Sequence, residues 1–368
     1  MGQLIGNLKM PERIHPTISW FADLRITDRP TVGGKGASLG ELLRAGAAVP
    51  PGFVVTTAAF ETFLHTLDAD GRIRRRIDAL AGADAMAIEG ACRAIREQFD
   101  LATVSNDLYA EISEAYRRLC CDGERRPVAV RSSATSEDQS DASFAGLQDT
   151  FLWIKGGDEV ISAIKRCWAS LYSVESVTYR LRLKLPEDDV AMAVVVQDMV
   201  DARTAGVMFT RSPITGDKSV IVMEAAWGLG SAVVSGEVTP DKFVVNKITG
   251  EISKRDISRK TVQHVPDADE GKVIEVAVPV HLQTAPCVSD DEIRALTTMA
   301  KAIEQHYGQA QDIEWAIDRR GSDRRQILLL QSRPETVWSN RGQEKRSIDD
   351  AGTNPLAHVL RALSDRGK

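Results

Sequence analysis

Several clusters along this chain combine residue types that handle phosphate. Gly33-Gly34-Lys35-Gly36 comes first. Glycines let backbone amides approach an anion closely and tolerate positive φ, and a lysine among them adds a point charge suited to phosphate. The GxxxxGK[ST] spacing of a P-loop is absent, and the segment reads equally as a flexible turn ahead of a helix. Val130-Arg131-Ser132-Ser133-Ala134-Thr135-Ser136-Glu137-Asp138 sets an arginine at the end of an apolar strand, its planar fork matched to phosphate oxygens, with hydroxyls beside it. A Ser/Thr-rich turn that caps a helix is the alternative. Ser143-Phe144-Ala145-Gly146-Leu147-Gln148-Asp149-Thr150 has the make-up of a small-residue loop that closes over a nucleotide, or of an ordinary surface loop.

Two further clusters lie in the second half. If Asp312-Ile313-Glu314-Trp315 and Leu330-Gln331-Ser332-Arg333-Pro334 form adjacent antiparallel strands, Glu314 and Gln331 project from one face. A carboxylate and an amide oxygen are hard ligands that suit Mg2+ bridging two phosphates. Arg333, two residues after Gln331, faces the same side and is placed to neutralise developing phosphate charge. A polar cross-strand pair on a solvated face is the plainer reading. Glu224 ends a strand ahead of Trp227-Gly228-Leu229-Gly230, a position that suits a ribose hydroxyl or a metal. Val196-Gln197-Asp198-Met199-Val200 sits at an expected junction between lobes, where a base commonly meets apolar walls and exposed backbone; Met199 reads as a core residue as well.

The elements that must position these groups follow from periodicity. A helical pattern runs through Leu39, Leu42 and Leu43 and stops at Val49-Pro50-Pro51-Gly52-Phe53. Thr56 or Thr57 caps a helix to about Leu67, residues 70–120 give two or three amphipathic helices, and 158–182 another. Pro127–Arg131 is a short strand. From Val190 the texture becomes β-rich, through Val190–Val200, Ala205–Thr210, Val220–Ala225 and Phe243–Asn246, with a loop at 266–272, a helix over Asp290–Gln305 and closing strands Asp312–Ile317 and Gln326–Gln331. The expected division is an N-terminal lobe over 1–188, a C-terminal lobe over 189–338 and a tail over 339–368 with a short amphipathic helix at about 355–364.

Composition removes several classes. At 368 residues the chain exceeds the ~250–300 at which one hydrophobic core stops growing, so two lobes are expected. With 46 basic against 52 acidic residues the net charge is −6, which argues against a general nucleic-acid binder. No run approaches the ~20 apolar residues of a membrane span, and Met1–Pro16 lacks the apolar core of a signal peptide. The 5 cysteines form no CxxC pair, which fits reduced thiols in the cytoplasm and speaks against a zinc site.

Taken together and in this order, Gly33–Gly40, Val49–Phe53, Ala129–Asp138, Ser143–Thr150, Val196–Val200, Gly206–Pro213, Glu224–Asp241, Asp312–Trp315 and Leu330–Pro334 closely resemble the N-terminal nucleotide-binding domain of phosphoenolpyruvate synthase. Pyruvate phosphate dikinase and rifampicin phosphotransferase share that domain, and the resemblance covers about residues 18–338. It implies an α+β, ATP-grasp fold whose two lobes close on ATP and Mg2+. Lys35 and Arg131 would then hold the triphosphate, Glu314 and Gln331 would bind Mg2+, and Arg333 would contact the transferred phosphate. Ser143, Gly146 and Thr150 would belong to the loop over the phosphates, and Gln197, Met199, Val200 and Glu224 would border adenine and ribose. The catalytic set implied is Arg333, Arg131 and Lys35.

The family also uses a histidine on a swivelling domain, in a Gly-Gly-x-x-(Ser/Thr)-His-like setting, to accept phosphate from ATP. None of His15, His65, His264, His281, His306 and His358 stands in such a setting. Two expectations compete. One is the ATP-binding subunit of a split enzyme, similar to phenylphosphate synthase and the 4-cresol-phosphorylating enzymes, with a second subunit supplying the phosphohistidine and the substrate domains. The other is a domain of a longer synthase or antibiotic phosphotransferase. A nucleotide-sensing protein and a carboxylate–amine ligase are the readings from other classes.

Overall fold

The computed structural model describes residues 16–335, apart from 122, 124, 136–137, 140–141, 144–148, 188–189, 268–269 and 320–326, and in addition Trp338. For 138–139 and 142–143 it describes the backbone alone. The architecture is α+β, with two antiparallel sheets and one helix lodged between them. The tail helix expected at 355–364 lies outside the described residues.

The first sheet contains β1 (Ile18–Trp20), β2 (Gly52–Val55), β3 (Val128–Ala134), β6 (Thr150–Ile154) and β7 (Met192–Asp198), in the order β1-β2-β7-β3-β6. Between β3 and β6 the short pair β4 (Asp138–Gln139) and β5 (Ala142–Ser143) stands apart. Successive strand residues point to opposite faces, and both faces here are apolar. Phe53, Val55, Val128, Val130, Val194 and Val196 meet α2 (Thr57–Leu67), α3 (Arg72–Asp78), α4 (Ala85–Leu101), α5 (Asn106–Leu119), α6 (Gly157–Ala169) and α7 (Val174–Leu183) in the largest core. Phe63 and Trp168 stack there with ring centroids 5.0 Å apart. Val54, Ala193 and Val195 turn the other way, onto Val32, Ala37 and Leu39 of α1 (Arg29–Arg44).

The second sheet runs β11-β10-β9-β8-β14-β15, from β8 (Ala202–Phe209), β9 (Val220–Trp227), β10 (Asp241–Asn246), β11 (Ile252–Asp256), β14 (Gln311–Asp318) and β15 (Ile327–Pro334). One face packs on α9 (Asp290–Tyr307), where Ile293, Leu296, Ala300 and Ile303 meet Met208, Met223, Phe243, Ile313 and Trp315. Helix α9 starts at a capping box, Ser289 with Glu292, that satisfies two otherwise unpaired amides. The opposite face looks toward the first sheet. A separate hairpin, β12 (Val262–Asp267) with β13 (Lys272–Ala277), docks beside the turn before α8 (Ser231–Val234). No helix among the described residues is long and apolar enough to cross a membrane.

Three expectations change. Strand β7 pairs with β2 and β3, so the residues just beyond the expected boundary at 188 belong to the first sheet, and the chain crosses at Met199–Asp201. A central strand covered on both faces reads as one apolar run, which carries no mark of the sheet it joins. The loop expected at 266–272 is the tip of the β12–β13 hairpin, whose strands are too partly exposed to show a buried alternation. The Gly33–Gly36 segment is not a loop ahead of a helix but lies inside α1, which begins at Arg29 and kinks at Gly33.

That kink needs glycine twice over. Gly33 has φ 70° and ψ 176°, a region essentially closed to other residues. A Cβ there would lie 2.0 Å from the Ser133 carbonyl oxygen. Gly33→Ala should therefore lower stability by ~2 kcal/mol or more, read from urea unfolding midpoints. A second fixed point is the buried ion pair Lys260–Asp241, Nζ to Oδ1 2.5 Å, with both side chains fully buried. Asp241 also accepts from the Ser258 amide at 3.0 Å and the Cys287 amide at 2.9 Å, which ties β10 to the start of α9. Lys260→Met should cost about 3–5 kcal/mol in the same experiment, because it leaves a buried carboxylate without its counter-charge.

Candidate functional site

The residues singled out in the sequence meet where the first sheet faces the second. Arg131 is the fourth residue of β3, opposite Val195 of β7 and Thr150 of β6. Directly opposed residues share a face, so Thr150 stands beside Arg131 on the side toward the second sheet, and it is exposed there. The Arg131 guanidinium reaches across. Nη1 donates to the Leu330 carbonyl at 3.0 Å, and Nη2 donates to Glu314 Oε2 at 3.1 Å and Gln331 Oε1 at 2.5 Å. The arginine side chain is only 11% exposed, so this is not a surface bridge that water screens.

The target is built by the β14–β15 ladder. Glu314 lies opposite Gln331, as the alternation predicts. The register then shifts, so that Trp315 faces Leu329 and Leu330 is left as the extra residue of a bulge. A bulge residue is unpaired in the ladder, and the carbonyl that receives Arg131 Nη1 belongs to it. Two residues along, Arg333 lies opposite Asp312 and holds it through Nε at 2.8 Å and Nη2 at 2.7 Å. Burial pushes the Asp312 carboxyl above its ordinary value. The Arg333 charge and hydrogen bond oppose that push, and Glu314 and Glu335 add to it. Arg333 itself is half exposed.

The same row continues across the sheet, from Glu314 to Val207 to Glu224 to Lys242. Glu224 is thus on the face of Glu314 and two strands away, ~10 Å at normal strand spacing. Lys242 Nζ donates to it at 2.9 Å. Toward the crossing segment the face becomes apolar, with Met199, Val200, Ala205, Leu229, Ala316, Leu328 and Leu330 in one cluster. A polar end and an apolar end therefore share one cleft wall.

Helix α1 closes the third side. Ser133 lies two residues after Arg131 on the same face, and its Oγ donates to the Val32 carbonyl at 2.9 Å and accepts from the Gly36 amide at 3.2 Å. This clasp fixes the Gly-rich segment against β3. Lys35 is part-exposed in that segment. Its charge is felt at the Cys167–Asp149 corner next to Thr150: burial raises the Cys167 thiol, Asp149 adds to the rise and Lys35 opposes it. On the other side of the helix, Ser38 Oγ donates to the Ser332 carbonyl at 2.5 Å.

The structure thus brings Arg131, Glu314 and Gln331 into contact, sets Arg333 and Glu224 on the same sheet face, and places Met199 and Val200 at its apolar end. Gln197 departs from its expected role. It is 3% exposed and its amide donates to the Pro50 carbonyl at 3.4 Å, so only its backbone is left to border a base. Ser143 ends β5, but its side chain, like Gly146, lies outside the described residues. Asp312 and the Leu330 carbonyl have no role of their own in the sequence reading, and Ser133, one of the hydroxyls it sets beside Arg131, clasps helix α1 instead. Asp312 was within reach, since the alternation that pairs Glu314 with Gln331 also pairs Asp312 with Arg333; the clasp and the bulge have no counterpart in the residue pattern.

Comparison with known proteins identifies the family of the chain. Residues 29–353 match the family model described as pyruvate phosphate dikinase, AMP/ATP-binding domain. Among curated relatives, a probable phosphoenolpyruvate synthase of Archaeoglobus fulgidus is 42% identical over 344 residues, covering 93% of this chain and 44% of its own length. One of Staphylothermus marinus is 39% identical over 353 residues, covering 90% and 42%. The phosphoenolpyruvate synthase of Aeropyrum pernix is 40% identical over 353 residues, covering 89% and 43%. The chain thus spans less than half the length of these relatives. It belongs to the pyruvate phosphate dikinase AMP/ATP-binding domain family.

Proposed function

We propose that the cleft between the two sheets binds Mg·ATP in an ATP-grasp arrangement and transfers a phosphoryl group to a histidine on a second subunit, which passes it to an organic acceptor. The observation that carries this reading is the meeting of Arg131 with Glu314 and Gln331. Two hard oxygen donors converge on one cationic nitrogen, at 3.1 and 2.5 Å, so the pair is already arranged to receive positive charge. That donor chemistry fits Mg2+, held by Glu314 and Gln331. When bound, the ion would neutralise phosphate charge. The adenine would lie against Met199, Val200 and their apolar neighbours, with Glu224 toward the ribose and the Ser143–Thr150 segment over the phosphates.

The chain's own residues would act chiefly by position and charge, which dominate phosphoryl transfer. Lys35 and Arg131 hold the β and γ phosphates; Arg131 leaves Glu314 and Gln331 to do so. Arg333 stabilises the charge that grows on the transferring group. A neutral imidazole attacks the β phosphorus in line, an N–P bond forms and the P–O bond to AMP breaks. Water takes the γ phosphate, so ATP, water and histidine give AMP, phosphate and phosphohistidine. None of the histidines of this sequence stands in the family's acceptor setting, so the accepting histidine is assigned outside it, and the split-enzyme reading puts it on a second subunit. Among the described ones, His264 bonds Ser231 and Glu237 and His306 bonds Glu41. The final acceptor is a phenol or cresol in the split-enzyme reading; the names of the relatives favour pyruvate as its rival.

With ATP labelled at the β phosphorus, Mg2+ and a candidate partner, label should appear on a partner histidine as an acid-labile adduct, together with AMP. Adding a phenol or pyruvate then identifies the acceptor by which one removes the label. Formation of ADP from an acid and an amine without any partner would sink the proposal, and tight ATP binding without turnover in every pairing would favour a sensor. Arg333→Ala should cut turnover by ~100-fold, and change nucleotide affinity by less than about tenfold, since Arg333 acts on charge that develops during transfer. Equal losses in both would count against that role.

A further inference from the structure

Away from Glu314 and Gln331, a second group of side chains has the make-up of a metal site. Glu237 follows α8, His264 is on β12, and Glu275 is opposite His264 on β13. Their ligand atoms all lie within 4.8 Å of one another, and His264 Nε2 is 2.7 Å from Glu237 Oε2. We propose that these three residues bind a divalent transition-metal ion of the zinc class, which staples the β12–β13 hairpin to the α8 turn.

The imidazole is oriented from behind. Its Nδ1 lies 2.8 Å from Ser231 Oγ, which leaves Nε2 facing the carboxylates. A hydrogen bond on the far ring nitrogen is how ligating histidines are usually held. The backbone is fixed too. The His264 carbonyl accepts from the Leu229 amide at 2.9 Å. Gly228, at φ 76°, packs so closely that a Cβ would lie 2.3 Å from that same oxygen. The histidine is therefore seated before any ligand arrives.

Charge points the same way. Two carboxylates converge on one imidazole, and among the described residues no lysine or arginine pairs with either. A mixed nitrogen and oxygen set suits Zn2+ and its neighbours, whereas Mg2+ prefers oxygen alone. With metal–ligand bonds of about 2.0–2.2 Å, adjacent ligands of a tetrahedral ion lie ~3.4 Å apart. His264 Nε2 and Glu237 Oε2 stand 2.7 Å apart and all three ligand atoms lie within 4.8 Å, so small rotations of the two exposed glutamates would reach that spacing. Three protein ligands leave a fourth position for water. The hairpin has reason to need a staple. It is two strands with no fully buried residue, and among the described residues one β-bridge, Gly228 with His264, joins its backbone to the turn, beside the side-chain contacts of His264 with Ser231 and Glu237. Val273, on the same hairpin face as Glu275, belongs to the apolar cluster of the cleft wall, so the staple would also steady that wall.

The test uses the full chain in a Cys121→Ser background, which removes the exposed thiol. After EDTA treatment and dialysis, Zn2+ should bind at one equivalent per chain with a micromolar or tighter Kd by calorimetry, and raise the thermal unfolding midpoint. Glu237→Gln and Glu275→Gln, both at exposed positions that the fold tolerates, should each weaken binding at least tenfold, and His264→Gln should abolish it. Glu314→Gln should leave the zinc response intact, and Mg2+ alone should not reproduce it. Failure to bind a stoichiometric ion would overturn the proposal. So would equal zinc binding by the Glu237→Gln, Glu275→Gln double variant, or an equal effect of Mg2+.

Discussion

The Arg131 guanidinium is the point on which the two sheets agree. It leaves β3, is almost wholly buried, and ends on a carboxylate, an amide oxygen and a carbonyl of the opposing sheet. At an effective dielectric near 20, unit charges a few ångströms apart attract by ~4 kcal/mol, and a buried partner left alone costs several more. The lobes are therefore held face to face by a cation that the protein itself supplies. In the proposed reading, an incoming nucleotide would take that cation for its phosphates, and the vacated oxygens would then face an ion of another kind. The closed arrangement can survive the exchange because each charge released finds a replacement.

Helix α1 makes such an exchange tolerable. It is shared by both cores, with Leu39 on the first sheet and Leu42 in the second. Its polar bonds divide the same way: Gly36 and Val32 to Ser133, Ser38 to Ser332, Glu41 to His306 at 2.5 Å. Burial raises the Glu41 carboxyl, but the His306 hydrogen bond, the Ile26 amide and the nearby His306 and Arg44 charges outweigh it and leave the group below its ordinary value. Movement of Arg131 alone leaves these ties in place. The glycines of the helix serve the same end. Gly33 gives the kink that lets backbone approach Ser133, and the helix restarts beyond it with Lys35 in its first turn.

Much of this was legible in the residues, for identifiable reasons. Glu314, Gln331 and Arg333 fall on one face by the alternation of two strands whose apolar and polar positions mostly alternate, and the bulge beyond Glu314 leaves that pairing in place. Helix α9 and the three helices between 72 and 119 follow from apolar spacing and good caps. The residue pattern assigns strand β7 to the wrong side because its sheet is decided by distant partners, Ala129 and Gly52, both in register with Gln197, not by its own composition. The β12–β13 hairpin leaves no mark in the sequence, since its half-exposed residues show no alternation. The crossing of Arg131 to Leu330 joins positions 199 apart and depends on a bulge, which has no local signature.

The layout of this face bears on how a nucleotide would be oriented. Glu224, Glu314, Gln331, Asp312 and Arg333 lie on a single face in two neighbouring rows, and the apolar cluster around Met199 and Leu229 lies next to them on the side of the crossing segment. A flat apolar base is excluded from the charged rows by desolvation of their carboxylates, and a triphosphate is excluded from the apolar end for the same reason. Only one direction along the face satisfies both. It sets the outermost phosphates beside Arg131 and Arg333, with Arg131 reaching from the first sheet and Arg333 standing half exposed on the second. A donor held so has its transferable group at the open edge of the cleft, where Arg333 meets solvent, and an acceptor carried on another domain can reach it without the lobes parting.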